Sequence, residues 1–307
     1  MREREGPALL PLVAVVSRRV FRVSRDLPIR ARPIRAGRRQ AARGGERFGG
    51  RRRALRGGGR VRPSVLIVVP ARYGATRFPG KPLALVAGIP LVERVRRLCL
   101  RTPGRPRVIV ATDDARVLRA VKAFGGEARM TRRDHPSGTD RAAEVARAVP
   151  CDLVVNVQGD EPLLAPREIG RLVAAMARDR AVEMATLCHP IRDPCEMANP
   201  NAVKVVLDAR GNALYFSRAP VPYFRDGPPS ASVRRRCFRH IGIYAYRRSF
   251  LLRYVRWPQS FLEKAEKLEQ LRALERGVRI RVLKSGYEPV GVDVPADVKR
   301  VERRLRK

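Results

Sequence analysis

The chain has 307 residues, with 66 Lys and Arg against 29 Asp and Glu and a net charge of +37. That length can bury the core of one large or two small domains, and no run of about 18 apolar residues is present to cross a membrane as a helix. The charge alone would suggest nucleic acid or an anionic membrane, but the excess is almost all arginine in a chain rich in Ala, Gly, Pro and Val, as GC-rich codons produce. With aromatics only 6% of residues, too few for a base-stacking surface, neither a specific nucleic-acid partner nor a membrane is expected.

Residues 1–63 are expected to be a disordered arginine-rich leader. The stretch to Arg62 carries 19 arginines and four acidic residues, Glu3, Glu5, Asp26 and Glu46, and no sustained helical or strand period. Its Arg/Gly-rich part cannot supply a core. Glu3 and Glu5 at the start, and further arginines where a cleavage site would fall, argue against a secretory signal. Three readings stand side by side: a basic arm, a transit peptide, and upstream sequence translated from a wrongly chosen start. In each of them a chain beginning at Ser64 is expected to fold and keep activity. The five cysteines, Cys99, Cys151, Cys188, Cys195 and Cys237, form no C-x-x-C pair. They read as reduced thiols of a cytoplasmic protein.

Residues 64–307 read as one α/β domain. Val65 to Val69 is a continuous apolar run, the pattern of a strand buried on both faces. Pro90 to Leu100 predicts a helix, and Arg107 to Thr112 a strand ending at Asp113-Asp114, which can cap a helix to Phe124. Glu127 to Met130 is a short strand. Ser137 and Asp140 predict a capping box for a helix to about Ala148. The strand Leu153 to Val157 and a helix from Pro166 follow. This alternation predicts a mostly parallel central sheet flanked by helices. Val203 to Leu207, Ala213 to Ser217 and His240 to Tyr246 crowd together and predict a small antiparallel excursion. Helices over Glu263 to Glu275 and Pro295 to Leu305 flank a strand from Arg279 to Leu283.

Several stretches carry chemistry. PARYGATRFPGKP, Pro70 to Pro82, follows the first strand, where ligands of open α/β sheets bind. Its Arg72, Arg77 and Lys81, with Gly74 and Gly80 for close backbone approach, suit a triphosphate. NVQGDEP, Asn156 to Pro162, places Asp160 at a strand end, and GVDVPAD, Gly291 to Asp297, places Asp293 before a helix. Asp293 alone would read as a helix cap, but paired with Asp160 it is a candidate Mg²⁺ ligand. TRRDHPSGTDR, Thr131 to Arg141, gathers Arg132, His135, Ser137 and Thr139 at a helix start suited to anions. In RHIGIYAYR, alternation puts His240, Gly242, Tyr244 and Tyr246 on one face.

These motifs, with NPNAVKVV, ALYFSRAP and LEKAEKLEQLR, occur in one order from Ser64 to Lys307. Together they resemble the 3-deoxy-manno-octulosonate (KDO) cytidylyltransferase family, the CMP-KDO synthetases. The resemblance implies a nucleotide-diphosphosugar-transferase-like α/β fold, a cytoplasmic homodimer joined through the antiparallel excursion, and transfer of CMP from CTP to KDO for lipopolysaccharide biosynthesis. It implies that Arg72, Arg77 and Lys81 hold the CTP phosphates, and that Arg132, Ser137 and Gln158 lie around the nucleotide. Asp160 and Asp293 would bind Mg²⁺ as the cofactor and, with Lys81, form the catalytic set. Arg218, His240, Tyr244, Glu266 and Gln270 would surround the sugar acid. The loop departs from the family in carrying Ala75 where a hydroxyl residue is usual. Sialic acid or an amino analogue of KDO is the alternative sugar.

Overall fold

The computed structural model describes residues 62–74 and 77–306. The expected leader, apart from its last two residues, and the Ala75 departure lie outside them.

The chain order opens with β1 (Val65–Ala71), a one-turn 3-10 helix at Lys81–Leu83, the short pair β2 (Leu85–Val86) and β3 (Ile89–Pro90), and α1 (Leu91–Leu100). Then come β4 (Arg107–Thr112), α2 (Ala115–Ala123), β5 (Glu127–Met130), α3 (Gly138–Ala148), β6 (Leu153–Asn156), α4 (Pro166–Arg178) and β7 (Met184–Pro190). The remainder is α5 (Pro194–Ala198), β8 (Lys204–Leu207), β9 (Ala213–Ser217), α6 (Ala231–Arg234), β10 (Phe238–Arg247), α7 (Arg248–Tyr254), α8 (Phe261–Glu266), α9 (Leu271–Glu275), β11 (Ile280–Lys284) and α10 (Pro295–Leu305).

The main sheet runs β11-β7-β10-β6-β1-β4-β5. β1 pairs in parallel with β4 and β6, β4 with β5, and β7 with β11, so only β10 runs against the rest of this path. Because side chains alternate across a strand, β1 feeds two cores. Leu66 and Val68 pack with α3 and α7 on one face; Ile67 and Val69 pack with α1, α2 and α4 on the other. All four are fully buried, and truncating any one to Ala should cost about 2–5 kcal/mol.

The expected antiparallel excursion is present in β8, β9 and the start of β10, but β10 also lies inside the main sheet. Its ten residues explain this. The half from Tyr244 to Arg247 pairs with β6, while Phe238 and Arg239 reach past the end of β6 to pair with β8. A notch remains where β6 stops, and the register along β7 shifts between Ile241 and Tyr244. The expected helix over Glu263 to Glu275 is two short helices, α8 and α9. Lys267 between them adopts a left-handed φ of 53°, which turns Leu268 into the core. A lysine gives no warning of that conformation, which favours glycine.

Helix caps follow the sequence more closely. Asp114 accepts the Arg116 N–H at the start of α2. Ser137 accepts from the N–H groups of Thr139 and Asp140 at the start of α3, though Asp140 bonds the Ser137 hydroxyl (2.7 Å) and not its backbone.

Candidate active site

The motif loops meet at the carboxyl edge of β1 and β6. After Asn156 the chain continues beside β1, Val157 N–H donating to the Val68 carbonyl at 3.0 Å. The turn that follows presses on the end of β1: a Cβ on Gly159 would stand 2.8 Å from the Pro70 carbonyl oxygen. Only glycine permits that approach. It delivers Asp160 to Lys81, whose Nζ lies 2.7 Å from Asp160 Oδ2.

The C-terminal segment closes on the same point. Val292 N–H donates to the Asp160 carbonyl (2.9 Å), and Asp293 Oδ1 lies 3.5 Å from Lys81 Nζ and 3.3 Å from Arg77 Nη2. Asp297 takes over the capping role, accepting the Asp293 and Val294 N–H groups at 2.8 and 3.0 Å. The Asp293 carboxylate is therefore left facing Lys81. Residues about 130 positions apart are brought to one ammonium group.

Three cavities open around this point: one of about 390 Å³ is lined by both Asp160 and Asp293, and Gln158 lines the other two. The smaller, about 220 Å³, lies between the end of β1 and the Gln158–Asp160 turn, with Arg72 and Lys81 in its wall. Arg72 donates to the His135 carbonyl at 2.7 Å, tying its loop to the start of α3. Ser137 sits at that start as the helix cap. Arg132 is exposed in an ion pair with Asp134 and lines neither cavity.

The larger cavity, about 400 Å³, occupies the notch along β10 and holds Arg218, His240, Tyr244 and Gln270. Arg218 is fixed by its Nε on the Glu266 carbonyl (2.7 Å) and a terminal nitrogen on the Pro200 carbonyl (2.9 Å). Glu266 is not in the wall. Its two carboxylate oxygens accept from the Ser217 hydroxyl (2.6 Å) and Arg218 N–H (2.8 Å). His240 Nε2 is 2.9 Å from the Thr186 hydroxyl, and its ring packs on Phe216 and Tyr244. Burial, helped by the neighbouring Arg239 charge, lowers this imidazole to about 3, so it is neutral. Burial raises the Tyr244 phenol well above its usual value. Gln270 is 4% exposed, and its Nε2 has no hydrogen-bond partner among the described residues. A buried amide without a partner is costly unless a ligand completes it.

Sequence reasoning missed some of the setting. Glu269, beside Gln270, also lines the larger cavity, and burial raises its carboxyl pKa. Lys204 is fully buried and donates to the carbonyls of Asn199 (2.9 Å) and Arg218 (2.6 Å), bracing the Arg218 backbone. Both lie in stretches quoted above, Lys204 within NPNAVKVV, but a lysine with apolar neighbours carried no sign of its carbonyl partners. Glu161 accepts from the Tyr287 hydroxyl at 2.8 Å, and burial pushes its carboxyl up to about 7.

The residues present fit a divalent cation. Asp160 and Asp293 are hard oxygen donors 32% and 54% exposed, leaving room for water and phosphate oxygens, as Mg²⁺ prefers. They already share one positive charge, that of Lys81. Asp160, Lys81 and Arg72 in the wall of the smaller cavity, with Asp293 and Arg77 joined to them by ion pairs and a polar cavity holding Arg218 beyond Gln158, can hold a polyphosphate beside a second, anionic substrate.

The chain is similar to known proteins over most of its length. A family model described as cytidylyltransferase matches residues 66–280. The 3-deoxy-manno-octulosonate cytidylyltransferase of Geobacter sulfurreducens is 48% identical over 79% of this chain and 100% of its own. A solved CMP:2-keto-3-deoxy-manno-octonic acid synthetase complexed with CTP superimposes with a TM-score of 0.74 and 46% identity, covering 79% of this chain and 98% of that one. The 4-diphosphocytidyl-2C-methyl-D-erythritol synthase of Anaerococcus prevotii, 12% identical with a TM-score of 0.53 over 80% of this chain and 96% of its own, shares the fold alone. The chain belongs to the 3-deoxy-manno-octulosonate cytidylyltransferase family.

Proposed function

We propose that this protein transfers CMP from CTP to 3-deoxy-manno-octulosonate, releasing pyrophosphate and supplying activated sugar for lipopolysaccharide. Its 48% identity to a KDO cytidylyltransferase across that protein's full length supports the activity. The observation that carries the catalytic reading is the convergence of Asp160 and Asp293 on Lys81, with Asp160 and Lys81 in the wall of the smaller cavity. Among the described residues no helix is long and apolar enough to cross a membrane. The reading includes a cytoplasmic homodimer, as the family resemblance implies.

In this reading the anomeric hydroxyl of the sugar attacks the α-phosphorus of CTP in line, and pyrophosphate departs. Arg72, Arg77 and Lys81 hold the triphosphate in the smaller cavity. Ser137 and Gln158 flank the nucleotide, and Arg132 joins them on leaving its exposed pair with Asp134. Arg218 and Gln270 receive the sugar's carboxylate and hydroxyls, and the neutral His240 and Tyr244 supply uncharged hydrogen-bonding groups. Glu266 acts one step back, by fixing Arg218. Lys81 neutralises charge that develops on the leaving pyrophosphate. A Mg²⁺ bound by Asp160 and Asp293 would supply Lewis-acid polarisation of the α-phosphate. Most of the rate then comes from positioning and charge, with no side chain needed as general base.

Pyrophosphate release from purified protein tests the proposal. CTP, Mg²⁺ and KDO together should give turnover; omission of the sugar or of Mg²⁺ should abolish it. Turnover with sialic acid and none with KDO would reassign the sugar. No release with any acidic sugar would end the proposal.

A further inference from the structure

We propose that Tyr73 and Arg116 form a strut that positions Lys81 and the phosphate-holding loop, acting through the loop's neck without touching substrate. The loop leaves β1 at Arg72 and returns at Gly80. Its neck is closed by the Gly80 N–H donating to the Tyr73 carbonyl at 3.0 Å. Gly80 has a φ of +72°, and a Cβ there would stand 3.2 Å from the Tyr73 hydroxyl. The phenol ring is thus wedged directly under the residue that precedes Lys81. The Arg116 guanidinium covers the ring, 3.5 Å from its centroid. This cation–π contact is itself anchored: Arg116 makes a forked pair with Asp114, Nε to Oδ1 at 3.0 Å and Nη2 to Oδ2 at 2.7 Å. Asp114 caps α2 just beyond the end of β4. A rigid line therefore runs from the sheet through Asp114, Arg116 and Tyr73 to Gly80 and Lys81. On the other side of the loop, Arg72 is tied to the His135 carbonyl. The loop is held from two sides, and the Tyr73 side fixes where the Lys81 ammonium meets Asp160.

The inference rests on the reading of this loop as the triphosphate site, and the experiment separates the two. Calorimetric titration of the full-length protein in Mg²⁺, with CTP and with CMP, is carried out on four variants. CMP lacks the β- and γ-phosphates, so a change confined to CTP reports the loop. Tyr73→Ala and Arg116→Gln should weaken CTP binding about three- to tenfold, as loss of a partly exposed cation–π contact and its wedge implies. CMP affinity and Tm should stay near the wild type. Tyr73→Phe keeps the ring and should bind CTP like the wild type. Lys81→Ala is the reference for the loop itself and should weaken CTP alone. If Lys81→Ala weakens CTP while Tyr73→Ala and Arg116→Gln do not, the strut is wrong and the phosphate reading stands. If Lys81→Ala also leaves CTP binding unchanged, both fall together. Equal weakening of CTP and CMP, or failure of Tyr73→Phe, likewise overturns the positioning role.

Discussion

Lys81 Nζ is 2.7 Å from Asp160 Oδ2 and only 3.5 Å from Asp293 Oδ1, so one ammonium joins a strand-end carboxylate to one delivered from the far end of the chain. Asp160→Asn and Asp293→Asn each keep side-chain size and remove one of these charges. Each should fold normally and lower turnover by about 10²- to 10³-fold, since a bound cation contributes several kcal/mol at a phosphoryl oxygen. Raised Mg²⁺ should restore activity only in part. Steady-state rates over a Mg²⁺ series check this. Wild-type turnover in both variants would remove the metal assignment.

The Gly159 turn makes a sharper structural prediction. A Cβ there would meet the Pro70 carbonyl at 2.8 Å, and that oxygen belongs to backbone at the end of a buried strand. Neither side can yield cheaply. Gly159→Ala should cost about 1–3 kcal/mol of stability and displace both Gln158 and Asp160. Because catalysis here is positional, a shift of about 1 Å should lower kcat by about 10²-fold. Thermal unfolding and kcat measured on one preparation check both parts.

What could be read from the sequence follows from how local the cause is. β1, β4 and β6 are continuous apolar runs, and the Asp114 and Ser137 caps sit directly before their helices, so each was visible within a few residues. The ordered motifs placed Asp160 and Asp293 in one site because a family pattern carries long-range information that a single spacing lacks. The central position of β10 was not readable. It depends on the length of β10 relative to β6, and on pairing with β7 and β8. The break at Lys267 was hidden for a related reason. Its left-handed turn answers to the packing of Leu268 and not to any local preference of lysine. The family resemblance implies Arg132 beside the nucleotide; its pairing with Asp134, two residues along, is a contact that the motif alone did not show.

The His240 ring predicts a pH signature in stability. Burial holds its pKa at about 3 in the folded protein, against about 6.5 in an unfolded chain. Between these values the unfolded state binds a proton that the native state refuses. Stability from this residue is therefore fully present above about pH 6.5 and is lost as pH falls toward 3, by up to about 1.4 kcal/mol per unit. His240→Gln should flatten the acid limb of the stability curve by about one proton. Denaturant unfolding at several pH values from 4 to 8 reads this slope directly. An unchanged slope in the variant would mean that His240 protonates normally in the folded state.

Lys204 gives a test of how the sugar-side cavity is held. It is fully buried, and its ammonium donates to the carbonyls of Asn199 and Arg218. Burial lowers its pKa, with the Glu266 carboxylate opposing that shift. Lys204→Met retains the apolar stem but supplies no donors, leaving two carbonyls without this partner. The carbonyls are only partly buried, so losing both hydrogen bonds should cost about 1–3 kcal/mol in all, and Tm should fall by a few degrees. The functional effect should be selective. Arg218 begins where β9 ends and its backbone would lose its brace, so KM for KDO should rise several-fold. The Lys81 loop draws on β1 and α2, which Lys204 does not touch, so KM for CTP should stay near the wild type. Initial rates with each substrate varied in turn separate the two. A rise in KM for CTP as large as that for the sugar would show that Lys204 supports the whole carboxyl edge and not the Arg218 side alone.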